Sequence, residues 1–110
     1  MPLYMYQGAY TPQSWAALVK NPQNRLEGVA RPACEAVGGK YIGGWMCFGE
    51  YDFVLIAEVP SNEAMAAIAI AVGAGGAIKA SKTTVLMSAD QGVAAMKKAA
   101  DVAKGYRPAS

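Results

Sequence analysis

Histidine is absent from this chain. Its absence removes the commonest general base and the commonest metal ligand together. There are two cysteines, Cys34 and Cys47, thirteen positions apart. That spacing matches no zinc pattern, and both lie in apolar surroundings, so they read as buried free thiols. Charge is also sparse, at 16% of residues with a formal net charge of +2, which is too weak and too scattered to form a nucleic-acid footprint. No run is long enough to cross a bilayer. The longest apolar stretch, 64–77, falls short of the ~18–20 residues required and is interrupted by Gly73, Gly75 and Gly76. Residues 1–6 have neither a basic segment nor a signal-peptide core, which makes a cytoplasmic protein the expectation. Nothing in the composition asks for a metal, a cofactor, a nucleic acid or a membrane.

What is present is apolar and finely divided. The hydrophobic fraction is 54% over 110 residues, much of it alanine, enough for one modest core. A single domain is expected over 1–104, with 105–110 as a loose tail. Residues 3–10, rich in tyrosine, read as a strand. Thr11-Pro12 then opens a helix, with Thr11 as cap and Pro12 in the first turn. Trp15, Leu18 and Val19 give its apolar stripe. A second helical piece runs from Pro22 to about Val37, with Leu26, Val29, Ala30, Ala33, Cys34 and Val37 on one face. Pro32 should kink or divide it.

Two β-rich runs follow, 40–48 and 53–59, joined through Gly49-Glu50-Tyr51-Asp52 as a hairpin. A third helix, from Glu63 to about Gly73, is apolar on every side and must be buried on every side. A four-stranded sheet covers only one flank, so a second subunit is the simplest cover for the other. A last strand spans 77–87, and Ser88 caps a final helix carrying Val93, Met96 and Ala100. The order is β-α-β-β-α-β plus a C-terminal helix: an α+β, ferredoxin-like antiparallel sheet with helices on one face. The other face is apolar and bare, which again asks for a homo-oligomer.

At this point the chain resembles the GYD-domain family, small proteins of the dimeric α/β-barrel type. Five features carry the resemblance. They are the opening Met1-Pro2-Leu3-Tyr4 with Tyr10-Thr11-Pro12; Asn21-Pro22 with Arg25; Gly38-Gly39-Lys40; the signature Phe48-Gly49-Glu50-Tyr51-Asp52-Phe53; and Gly73-Ala74-Gly75-Gly76-Ala77 before Thr83-Thr84. The resemblance implies a fold and self-association. It brings no assigned chemistry.

The hairpin supplies the candidate site. With Gly49-Glu50 as a two-residue turn, Cys47 opposes Asp52 and Phe48 opposes Tyr51, and glycine in first place suits type II′. Asp52 either serves backbone N–H groups or pairs with Arg25 or a lysine, or it acts as a proton acceptor or ligand contact in an apolar site. Tyr51 and Trp45 divide in the same way between packing and ligand contact. Tyr4, Tyr6 and Tyr10 share one alternation face, and either line a pocket or form a subunit contact; the latter is favoured. Lys79 and Lys82 could meet an anion or an acidic partner. Gly73-x-Gly75-Gly76 lacks the context of a phosphate loop and reads as a helix stop.

Three functions are compatible with these residues. The first is an oligomeric small-molecule-binding module, its pocket between sheet and partner, with Tyr51, Asp52, Trp45, Tyr6 and Lys82 as candidate ligand contacts. The second is a cofactor-free oxygenase or isomerase on a small apolar or aromatic substrate, with Asp52 as proton acceptor. The third is a purely structural or regulatory homo-oligomer.

Overall fold

In the computed structural model, which describes residues 1–109, the elements follow the expected order. They are β1 (Leu3–Tyr10), α1 (Pro12–Lys20), a π-helical turn (Leu26–Ala30) leading into α2 (Arg31–Ala36), β2 (Lys40–Met46), β3 (Phe53–Glu58), α3 (Asn62–Ala74), β4 (Ile78–Leu86) and α4 (Ala89–Gly105). The strands form one antiparallel sheet in the order β2-β3-β1-β4. This is the α+β, ferredoxin-like plan with an added C-terminal helix. No helix among the described residues is long and apolar enough to cross a membrane.

The helix starts follow from local chemistry. Thr11 Oγ1 accepts the Ser14 N–H at 3.1 Å and Pro12 occupies the first turn of α1. The stripe on α1 is narrower than the spacing suggests: Trp15 packs on Tyr10 and Leu18 on the core, but Val19 is 78% exposed. The second helical piece begins later than Pro22, because residues 22–24 are not helical. Pro32 divides it without breaking it. A proline has no N–H to return to the preceding turn and its ring collides with the carbonyl four residues back. The chain widens into a π turn just upstream, where the Arg31 N–H reaches back to the Leu26 carbonyl. Pro32 then falls in the first turn of α2, where its missing donor is harmless. The expected apolar face survives: Leu26 and Cys34 are buried, and Ala30, Ala33 and Val37 pack on the core.

Alternation along β1 and β3 dresses the two sheet faces differently. Tyr4, Tyr6, Phe53, Leu55 and Ala57 are buried beneath the helices, whereas Met5, Gln7, Val54 and Ile56 are half-exposed on the other side. The tyrosine row therefore points at the helices and not at a neighbouring subunit, which corrects the favoured reading of that row. The Tyr4 hydroxyl donates to Asn62 Oδ1, tying the sheet to the start of α3, while Ser61 Oγ caps that helix by accepting the Ala64 N–H. Met65 and Ile68 of α3 enter the core, but Ile70 on its outer flank is 70% exposed.

The uncovered face is assembled in rows across the strands. One row is Trp45–Val54–Gln7–Lys82, and the next is Gly43–Ile56–Met5–Thr84. Helix α4 adds no cover. It is well capped, with Ser88 and Gln91 satisfying each other's backbone N–H groups, yet none of its residues is buried. The chain measures 59 × 35 × 22 Å with a radius of gyration of 17.5 Å. A compact chain of this length would have about 13 Å.

Candidate functional site

Small side chains on the helices face large rings on the sheet. Ala30, Ala33 and Ala71 stop short of Tyr6 and Phe53, and the mismatch leaves a cavity of about 340 Å³ between the sheet and the helices. Its walls are apolar, with Leu26, Cys34, Leu55, Met65, Ile68 and Val72 completing them. The volume equals roughly eleven waters at ~30 Å³ each. It falls at the small end of the ~300–1,000 Å³ range of small-molecule pockets. Three polar residues, Tyr6, Tyr10 and Arg25, interrupt the apolar lining. The Tyr6 hydroxyl is buried and has no protein hydrogen-bond partner. Arg25 contributes to the wall.

Arg25 and Tyr10 also border a second hollow on the outside, together with Trp15, Leu18 and residues 44–46. With Leu26, which borders both as well, they form the partition between the cavity and this outer groove. Tyr10 is held by an aromatic cluster, its ring 5.1 Å from Trp15 and 5.3 Å from Phe53, centre to centre. Burial pushes the Tyr10 phenol above its ordinary range; the adjacent Arg25 guanidinium opposes this and the Asp52 charge adds to it. Burial also raises the Cys34 thiol. Among the described residues the ion pairs are Arg31–Glu27 and Lys104–Asp101, so no carboxylate pairs with Arg25.

The residues singled out from the sequence do not converge. Tyr6 lines the cavity. Trp45 and Lys82 stand at opposite ends of one row on the uncovered face, three strand spacings or about 14 Å apart. The Trp45 ring lies over Gly43, where a Cβ would come within 3.1 Å of it. Asp52 borders neither hollow. Its carboxylate accepts the Tyr10 backbone N–H at 2.8 Å, and its own N–H donates to the Gly8 carbonyl. The Tyr51 carbonyl accepts from the Cys47 thiol at 3.3 Å; Cys47 is half-buried and Cys34 fully so. The hairpin register is the expected one, with Trp45 opposite Val54, Met46 opposite Phe53, and the Cys47 N–H donating to the Asp52 carbonyl. The link is not a type II′ turn, since Gly49 has φ 151°.

A family model of the GYD domain matches residues 4–102. The chain belongs to the GYD domain family. Its signature residues, Gly49, Tyr51 and Asp52, thus build the β2–β3 link and dock it onto the end of β1. No curated protein matches the chain. Among solved structures it is similar to FFRP-DM1, with a TM-score of 0.54 at 11% identity, covering 79% of this chain and 100% of that one. At that identity the likeness is one of fold.

Sequence reasoning passed over the cavity itself and the partition that Arg25 and Tyr10 make. A signal was available. Two helices that present alanine at several sheet-facing positions, among them Ala30 and Ala33, to a strand of tyrosines leave space between them unfilled.

Proposed function

We propose that this GYD domain is a homo-oligomeric module that binds a small apolar or aromatic molecule in the cavity under Tyr6. The observation that carries the reading is that apolar cavity, with a buried hydroxyl lacking a protein partner. A buried phenol without a partner loses the hydrogen bonds it had in water. A ligand atom meeting it would recover them. The cavity lies inside one chain, on the helix-covered side, and not between sheet and partner as the sequence suggested. The uncovered face is left for self-association. Binding is favoured over proton transfer because the Asp52 carboxylate is engaged by Tyr10 and stands outside the cavity.

Calorimetric titration with 3-phenylpropan-1-ol tests the binding reading. Saturable binding to the wild type is expected, abolished by Ala33→Phe, which fills the space from α2. A wild type that takes up none of this probe would count against the reading. Self-association is tested by light scattering at micromolar concentration, where a stable monomer would refute it.

A further inference from the structure

We infer that the ligand of this cavity is a small monocarboxylate, its aromatic or aliphatic body against the apolar walls and its carboxylate held by Arg25 with the Tyr10 hydroxyl. The inference deepens the binding reading above and rests on it. Arg25 borders both the cavity and the outer groove, is only half-exposed, and has no carboxylate partner among the described residues. Its polar companion is the Tyr10 hydroxyl, which burial keeps protonated. The pair therefore offers several donors and a positive charge. A half-buried cation facing apolar walls is poorly solvated, and an anion placed between cavity and groove compensates it.

The donor set decides which anion. A guanidinium presents two parallel N–H groups that match the two oxygens of a carboxylate. A phosphate dianion carries more acceptors and charge than one guanidinium and one phenol can meet. The volume sets the size, on the order of a dozen non-hydrogen atoms, which excludes nucleotides and long-chain fatty acids. The Tyr6 hydroxyl, deeper under the helices, offers a second polar contact, so a hydroxyl or carbonyl on the ligand body adds affinity.

The test compares 3-phenylpropanoate with 3-phenylpropan-1-ol, which share a carbon skeleton and differ in charge. Both are titrated calorimetrically into wild type, Arg25→Gln and Ala33→Phe. In wild type the acid should bind at least about tenfold tighter than the alcohol, as expected of a charge-assisted hydrogen bond. In Arg25→Gln that preference should vanish while alcohol affinity is retained, and in Ala33→Phe neither should bind. An alcohol that binds as well as the acid, or an acid preference that persists in Arg25→Gln, overturns the carboxylate assignment and leaves the cavity reading intact. Binding of neither probe to wild type overturns the cavity reading itself. Arg25 is partly solvent-exposed and has no carboxylate partner among the described residues, so Arg25→Gln should remain folded, which circular dichroism checks.

Discussion

The Asp52 carboxylate accepts the backbone N–H of Tyr10 at 2.8 Å, across forty-two positions of sequence. The bond has a local cause. The pairing of β1 with β4 shifts register between Ala9 and Tyr10, so the end of β1 leaves the regular ladder. A buried N–H without an acceptor costs ~1–3 kcal/mol, and Asp52 supplies one. Asp52→Ala should therefore destabilise the domain by ~1–3 kcal/mol, whereas Asp52→Asn, which keeps a carbonyl oxygen in place, should cost less than ~1 kcal/mol. Urea unfolding of both variants measures the difference. Equal losses would mean that the carboxylate's charge, and not its acceptor role, is what matters.

Gly8 and Phe53 face each other in the β1–β3 ladder, and the Phe53 ring lies across the glycine. A Cβ on Gly8 would sit 2.4 Å from the ring. Gly8→Ala must push Phe53 away from Tyr6 and Tyr10, with which it packs. Overpacking of this kind costs ~1–3 kcal/mol. The same shift moves a cavity wall, so Gly8→Ala should both lower the melting temperature and weaken binding of 3-phenylpropan-1-ol. A melting temperature equal to wild type would show that the ring has room to move.

The order of elements was legible because each boundary has its own chemistry. Thr11-Pro12, Gly38-Gly39, Pro60-Ser61 and Ser88 each stop or start an element for a reason internal to the segment. The hairpin register was legible because centring the link on Gly49-Glu50 sets Cys47 opposite Asp52 and Trp45 opposite Val54. Four features were not. The bulge between Tyr41 and Gly43 and the π turn before Pro32 are each one residue of slack, taken up where packing demands it. Which face the tyrosines took depended on the helices crossing over that side, a property of the whole chain. The cavity required knowing which alanines oppose which rings.

Stability should fall in alkali. Burial raises the Cys34 thiol above its ordinary 9.0, and the Tyr10 and Tyr41 phenols above 10.0. All three are neutral acids when protonated. Above their ordinary values the unfolded chain gives up these protons while the native chain still holds them, so the unfolded state binds fewer protons and stability declines as pH rises. The thiol contributes first, from about pH 9, and the phenols from about pH 10. Melting temperatures followed from about pH 8 to about pH 11 should drop, and Tyr10→Phe should drop less steeply over the upper part of that range. A flat profile would contradict the burial of these groups.

The uncovered sheet face and α4 bear on a single question. Met5, Val54, Ile56 and Trp45 form an apolar centre on that face, with Lys40, Glu58 and Lys82 around it. An apolar middle with a charged rim is the composition of an interface. Helix α4 carries Val93, Met96 and Val102 exposed to solvent, on a helix that lengthens the molecule to 59 Å. Burying both on a second copy would use each exposed surface without new chemistry. Met5→Lys places an unpaired charge at the centre of the sheet face. A charge left unpaired in an interface costs about 3 kcal/mol, on the order of a hundredfold in the dissociation constant. Met96→Glu should weaken association through α4 in the same direction. Neither residue is in the core, so each variant should remain folded as a monomer by circular dichroism while light scattering reports the loss of the oligomer. If Met5→Lys leaves the mass unchanged and Met96→Glu dissociates it, the helix alone holds the subunits and the sheet face is free for something else.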